Sequence, residues 1–544
     1  MSLRHAPFLL IIIALGVTLF LRPGGFWGGA LLAALVFLVL LGIRDLLQSR
    51  HSVLRNYPVI GHVRWLVEMI RPEIRQYLIE SDSDATPFSR AQRSLVYRRA
   101  KEAPSDHPFG TLMNVYADDY EFIQHSLVPV PIPDAAAFRV TVGNSQCARP
   151  YSASVFNISA MSFGALSANA IRALNGGAAR GGFYHDTGEG SISPYHREHG
   201  GDIVWQVASG YYGCRDEQGR FDPDRFAAGA AADQVKMIEV KLSQGAKPGH
   251  GGVLPGRKVT PEIAATRGIP VGMDCISPAK HSAFSTPIEL MNFLHQLRTL
   301  SGGKPVGFKL CIGLPWEFMA IVKAMLATRI VPDFIVVDGA EGGTGAAPVE
   351  FSDHIGVPMR EGLLFVHNTL VGAGLRDQIR IGVAGKLVSA FDLAAVFAIG
   401  ADFANSARGF MFALGCIQSM SCHTNHCPTG IATQDRRRGR ALVVPDKADR
   451  VWRYHERTVH ALAELLAAAG LRHPDELRPH HLVHRVSTVE IRQFDRMHYF
   501  AEPNDLLEGR SKSAFYQDSW NQARPDSFSS IQEATANGPI LEKA

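Results

Sequence analysis

The sequence predicts an α/β protein: a (β/α)8 barrel preceded by an N-terminal transmembrane helical hairpin and a mixed helical extension. Three observations predict it. Two apolar runs open the chain. From about Ala137, short runs rich in Val, Ile and Phe alternate with Gly-rich loops and helical stretches. No G-x-G-x-x-G follows the first of these runs, which weighs against a doubly wound nucleotide-binding sheet.

Taken in order, the first apolar run is Pro7–Leu21 and the second is Phe26–Ile43, separated by "RPGG". The second would be roughly 27 Å long as a helix, close to a hydrocarbon thickness of about 30 Å. One unbroken span would bury Arg22 mid-membrane at a cost of about 2.5–3.5 kcal/mol, whereas two spans leave Arg22 in the turn. A single anchor and a cleaved signal peptide are the alternatives, although a small-x-small cleavage site is lacking. Between Arg44 and Lys101 there are 11 Lys/Arg against 6 Asp/Glu, and Arg4 flanks the other end. The positive-inside rule then places both ends, and the catalytic domain, on the cytoplasmic side of the inner membrane.

After the anchor, "EIRQYLI" and "SRAQRSLVYRRAKEA" read as helices, the second with Ser89 as N-cap. "VPVPIP" (Val128–Pro133) reads as a linker, since proline suits neither helix nor sheet interior. Six strand–loop–helix units follow, with strands at "NISAMSF", "MIEVKL", "PVGFKL", "DFIVVDG", "QIRIGVAG" and "DFANSA". Buried strands alternating with helices imply a parallel sheet, and six or more units fit a barrel. A long helix follows at Asp449–Gly470, and the polar sequence past Phe500 reads as extended. The expected organisation is 1–43 anchor, 44–136 mixed helix, 137–435 barrel with a cysteine loop, 436–500 helical, and 501–544 polar tail.

With 19% charged residues and a net charge of +4, the chain is neither a disordered acidic segment nor a basic nucleic-acid binder. Seven cysteines without regular spacing give no disulfide framework. Three of them, Cys416, Cys422 and Cys427, form C-x5-C-x4-C followed by proline. All-thiolate ligation beside a proline suits an iron–sulfur cluster, and three ligands instead of four suit one with three irons or one missing a protein ligand. Zinc drawing on His423 and His426 remains open, as do free thiols.

In a barrel, chemistry sits at the C-terminal strand ends, with phosphate near strands seven and eight. "EGGTG" (Glu341–Gly345), "VAGK" (Val383–Lys386) and "SARG" (Ser406–Gly409) supply backbone N–H groups and Arg408 there. Lys241 ends a strand and Lys247 lies in the next loop; a lysine on a buried strand wants an anion or a ring carbonyl. Lys309 repeats the pattern. Glu189, between glycines in "HDTGEGS", is a candidate acid/base or ammonium ligand.

The stretches "SAMSFGALS", "TGEG", "IEVKLSQGAKPG", "LPG", "ISP", "GGTGA" and the cysteine pattern with "PTGIAT" resemble, in order over about Asn157–Gly470, the synthase domain of the FMN-binding glutamate synthase family. The resemblance implies FMN and a 3Fe-4S cluster, the latter on Cys416, Cys422 and Cys427. It implies an FMN surround of Ser162, Lys241, Gln244, Gly343, Thr344, Gly385 and Arg408. It places Glu189, Lys247 and Arg267 where the family handles 2-oxoglutarate and its imine. The implied reaction condenses 2-oxoglutarate with ammonia and reduces the imine to L-glutamate, the work of an oxidoreductase acting on CH-NH2 donors. A different 2-oxo acid or amine is the alternative, because Val253 replaces the family's glutamine and Ile192 a glutamate. A glutaminase domain is not expected, so ammonium comes from solution or a partner. The expected electron donor is a ferredoxin-like protein or a separate reductase.

Overall fold

The computed structural model describes residues 5–48, 52–83, 86–104, 106 and 108–536. Arg4, Arg50 and the tail beyond 536 lie outside the described residues. Contacts divide the chain into two compact units, Met1–Arg90 and Ala91–Ala544.

The first unit opens with α1 (Ala6–Leu21) and α2 (Gly25–Leu47). Arg22 sits in the turn between them with φ 43°, its N–H donating to the Thr18 carbonyl at 3.0 Å. Gly42 allows close approach of the two helices, because a Cβ there would strike the Phe8 ring. Among the described residues, α2 is the one helix long and apolar enough to cross a membrane, and α1 is a shorter apolar helix. Leu10, Phe20, Phe26, Trp27, Phe37 and Leu40 are exposed along them. The polar end of α2 turns inward: Asp45 is buried, accepting from the Val59 N–H and meeting His62 Nε2 at 2.9 Å. His62 belongs to α3 (Gly61–Ile74), which runs into a π turn at Arg75–Ile79.

In the second unit, α4 (Arg90–Ala100) begins directly after Ser89. Eight parallel strands then close a barrel: β1 (Phe156–Ile158), β2 (His185–Asp186), β3 (Ile203–Val207), β4 (Val235–Lys241), β5 (Val306–Leu310), β6 (Phe334–Asp338), β7 (Arg380–Ala384) and β8 (Phe403–Ser406). Each strand pairs with the next, and β8 returns to β1 through Ala404 opposite Phe156. The helices that pack around it include α5 (Ala168–Gly181), α6 (Pro223–Ala230), α7 (Pro261–Arg267), α8 (Pro287–Leu300), α9 (Pro315–Thr328), α10 (Met359–Gly372), α11 (Ala390–Ile399), α12 (Arg408–Leu414) and α13 (Val444–Ala468).

Period-two alternation along a strand puts residues i, i+2 and i+4 on one face. In β4 these are Met237, Glu239 and Lys241, and in β6 they are Phe334, Val336 and Asp338. Their N-terminal members join one apolar cluster with Tyr184, Val204 and Phe403. An antiparallel hairpin, Arg139–Val142 with Tyr151–Ser154, closes that end by adding Val142, Tyr151 and Ala153 to the cluster. Toward the C-terminal ends the same faces turn polar. The barrel is therefore an apolar plug below and a charged layer above, written by alternate residues of the strands.

Three segments carry structure beyond what the sequence suggests. The region 44–136, read as mixed helix, also holds a strand, Glu121–Ile123, pairing with Leu482–Ser487. The region 436–500 likewise carries that strand and Glu490–Gln493, forming a three-stranded sheet; "VHRVSTVEIRQ" alternates β-branched and charged residues about a turn. The described tail is not extended. It forms α14 (Ala514–Gln522) and α15 (Ile531–Ala536) and buries Tyr516 and Trp520, four residues apart on one helical face.

Candidate active site

Above the plug, four charged groups share a water-poor layer: Asp186 (β2), Glu239 (β4), Lys309 (β5) and Asp338 (β6). Lys309 Nζ lies 3.5 Å from Asp338 Oδ2, and Gln206 Nε2 donates to Glu239 Oε1 at 2.6 Å. Burial, and then the neighbouring Glu239, raises the Asp186 pKa well above the ordinary value. Burial also raises Glu239, against the pull of Lys309. Burial would lower Lys309, but Asp338, Glu239 and Asp186 outweigh it and hold its ammonium charged. The layer thus sets one ammonium among three carboxyl groups, two of which burial pushes toward their neutral forms.

The next turn up holds the predicted site residues. Lys241 Nζ, at the end of β4, donates to Glu189 Oε2 at 2.9 Å and to Gln244 Oε1 at 2.5 Å. Gln244 belongs to the following loop, whose Gly245 N–H donates to Asp338 Oδ2 at 3.0 Å. Lys247 is buried, its Nζ donating to the Gly251 carbonyl at 3.1 Å. Arg267, the last residue of α7, reaches Ser162 Oγ at 3.3 Å and the Phe163 carbonyl at 3.1 Å through one guanidinium nitrogen. Its face lies over the Tyr212 ring, 5.3 Å from the centroid. Burial alone would raise Glu189; Lys241, Arg267 and Lys247 together hold it below the usual carboxylate range. Burial, and then Lys241, lowers Lys247 against the pull of Glu189. Glu189, Lys241, Gln244, Lys247, Arg267 and Ser162 are therefore one constellation.

Glycine is required around it. A Cβ on Gly252 would meet the Glu189 carboxylate, and one on Gly190 would come within 2.9 Å of the Arg267 guanidinium. Val253, where the resemblance expects glutamine, follows Gly252 directly and pairs with Ile276 in a short antiparallel bridge. Ile192 is half-buried and lines a separate cavity behind Arg267.

The loops after β6, β7 and β8 form the other side. The Arg408 guanidinium lies against Gly343, where any Cβ would collide with it. Thr344 follows, half-buried. Gly385 packs on Met359 and Glu341, whose carboxylate accepts the Met359 N–H at 3.0 Å and so caps α10. A Cβ on Gly345 would sit 3.3 Å from Cys422 Cβ, so the glycine loop abuts the cysteine loop.

Cys416, Cys422 and Cys427 are near enough to influence one another electrostatically, and Arg408 acts on Cys416 and Cys422. Burial would raise Cys427, but Thr429 and backbone N–H groups of Ala432, Thr429 and Ile431 outweigh it and favour a thiolate. Distant segments wall this loop: Tyr97 OH of α4 donates to the Cys416 carbonyl at 2.5 Å, and Arg257 donates to the His423 carbonyl at 2.9 Å. Among the described residues, no three of His, Cys, Asp or Glu stand close enough to hold one metal ion. Three thiols on one loop are a donor set of the kind an iron–sulfur cluster uses.

The sequence reading singled out neither Asp186, Glu239, Gln206 and Asp338 nor His281, whose ring meets the Lys241 carbonyl at 2.9 Å and Tyr211 OH at 3.0 Å. The signal for the first four was the switch from apolar to polar on one strand face. Nothing local marks His281.

A closed parallel barrel carrying paired ionisable groups and glycine loops at the C-terminal ends of its strands defines a (β/α)8-barrel enzyme. Residues 131–472 match the family described as the conserved region in glutamate synthase. The chain is 35% identical over 509 residues to a glutamate synthase large subunit-like protein, YerD, of Bacillus subtilis (strain 168), covering 86% of this chain and 96% of that one. It is 37% identical over 322 residues to an archaeal glutamate synthase (NADPH) of Methanocaldococcus jannaschii, covering 59% and 60%. An archaeal-type glutamate synthase (NADPH) of Thermotoga neapolitana is 36% identical over 320 residues, with the same coverage. The chain thus spans about six-tenths of the length of these last two. It belongs to the glutamate synthase family and is a glutamate-synthase-like oxidoreductase.

Proposed function

We propose that this barrel binds FMN and a 3Fe-4S cluster and converts 2-oxoglutarate and ammonia, through 2-iminoglutarate, to L-glutamate. The observation that carries this reading is the convergence of Lys241, Lys247 and Arg267 on the Glu189 carboxylate at the strand ends. Three cations around one carboxylate leave a net positive pocket suited to a dianionic 2-oxo acid. Arg267 presents a planar guanidinium to a substrate carboxylate. Lys247, more acidic than an ordinary lysine, delivers a proton to the substrate and is reprotonated from solvent. Glu189 fixes Lys241 and receives ammonium by its charge.

FMN, when bound, supplies the hydride that the imine carbon accepts. Lys241, Gln244 and Ser162 would hold the ring side, and Gly343, Thr344, Gly385 and Arg408 the phosphate side. Cys416, Cys422 and Cys427 would hold the cluster; the contact of Gly345 with Cys422 makes the two loops neighbours. Electrons come from a ferredoxin-like protein or a separate reductase. The apolar helices α1 and α2 anchor the protein in the inner membrane, with the barrel on the cytoplasmic side.

Anaerobic reduction of the detergent-purified flavoprotein, then addition of 2-oxoglutarate with ammonium, tests the reaction. Reoxidation of the flavin with formation of one glutamate per flavin is expected. A flavin that stays reduced contradicts the substrate assignment. Cys422→Ser should lose the iron and its low-temperature EPR signal while keeping FMN; full iron content in that variant contradicts the ligand assignment.

A further inference from the structure

A second cavity, of about 460 Å3, lies behind Arg267 on the flank of the barrel. That size falls within the range of small-molecule sites, about 300–1,000 Å3. Its charged lining is wholly cationic: Arg197, Arg215, Arg225 and Arg267, with no Asp or Glu among the lining residues. Arg225 is ion-paired outside the cavity with Asp222 at 3.4 Å. Arg215 faces the Tyr212 ring at 5.6 Å and has no carboxylate partner among the described residues; Arg197 has none either. Trp205 and Arg267 line the cavity on side chains that are themselves almost wholly buried, at 2% and 4% exposed.

The opening is kept by small residues. A Cβ on Gly229 would press on the Trp205 ring at 2.8 Å, and one on Gly213 would strike Ser191. Ile192 contributes a wall without charge, so no side chain of the lining neutralises the arginines.

We infer that this cavity is a second anion-binding site, built for a small multivalent oxyanion, a phosphate or a polycarboxylate, held by the Arg197 and Arg215 guanidinium groups of its lining. Guanidinium groups suit both chemistries because their paired N–H donors match two oxygens of either. The site is distinct from the rim constellation: Glu189, Lys241, Lys247 and Ser162 do not line it. It shares only Arg267, so an occupant would bear on the residue assigned to the substrate. The binding itself does not rest on the glutamate-forming reading.

Isothermal titration of the full detergent-solubilised chain with inorganic phosphate, and separately with citrate, tests this against chloride at matched ionic strength. Saturable binding of one anion per chain by at least one probe is expected; phosphate alone assigns a phosphoryl ligand and citrate alone a polycarboxylate. Arg197→Ala with Arg215→Ala should weaken binding about tenfold or more, given what charge-assisted bonds contribute, while Tm and flavin content stay unchanged. Each single variant should show a smaller loss, which keeps the test decisive if the double variant misfolds. Lys247→Ala should leave binding intact. No saturable heat with either probe, or unaltered affinity in the arginine variants, overturns the proposal; so does loss of binding in Lys247→Ala, which would place the anion at the rim instead.

Discussion

Lys247 is buried beside two other cations and one carboxylate, and its ammonium is easier to deprotonate than that of a free lysine. In the role proposed for Lys247 the protonated form is the donor, so turnover should fall as pH rises through this lowered pKa, before an ordinary lysine would titrate. Lys247→Arg stays protonated and should shift the alkaline limb upward while reducing kcat; a pH–rate profile with the limb in its original place contradicts the role. The charged layer beneath gives a second test. The Asp186 pKa is raised in the fold, so its contribution is complete below the unfolded carboxylate pKa and is lost as pH rises through the raised folded value. Asp186→Asn imitates the protonated form and should hold stability at neutral pH while flattening that dependence. Lys309→Met strands Glu239 and Asp338 without their cation and should cost about 3–5 kcal/mol in urea unfolding. Equal stability of the two variants would show that the layer is not organised by charge.

At the scale of elements, the tail docks through its aromatic face. Trp520 stacks under Lys323 Nζ, 4.9 Å from the ring centroid, and Lys323 also donates to the Ala523 carbonyl at 3.0 Å. Tyr516 OH accepts from Asn368 Nδ2 of α10 at 3.0 Å. Trp520→Ala should cost about 3–5 kcal/mol and open the tail to limited proteolysis ahead of the barrel; unchanged protection would mean that backbone contacts such as Leu506 N–H on the Gly372 carbonyl suffice. The tail looked extended in the sequence because its composition is polar and its two anchoring rings are only one helical turn apart. Six barrel strands were legible because Val, Ile and Phe run together before glycine loops. The other two were not: β2 is two residues long, "HD", and β3 reads "IVWQV" among glycines and serines. The same limit applies to the site. Glu189 stands between two glycines, and Lys241 and Lys247 bracket the loop of Gly245, so all three announce themselves. Gln206, Asp186 and Asp338, 20 to 152 residues apart in sequence, look ordinary until closure of the barrel brings their strands onto one layer.

At the scale of the molecule, the barrel unit carries its own core, its own site and its own cysteine loop, while the first unit contributes an apolar surface along α1 and α2. Deleting residues 1–47 should release the protein from the membrane fraction without altering flavin content or barrel Tm; a truncated chain still sedimenting with membranes would move the anchor elsewhere. The cysteine loop has a consequence for biogenesis. Its walls come from Tyr97, 319 residues upstream of Cys416, and from Arg257, 166 residues upstream of His423. A ribosome delivers chain at about 5–20 residues per second, so the early walls wait many seconds, without their partner, for the thiols to emerge. Contacts this distant in sequence close late in folding. Any inorganic group these thiols take up is therefore loaded at the end of maturation, onto a nearly finished barrel, and cells short of that group should accumulate a folded but electron-incompetent protein rather than an unfolded one.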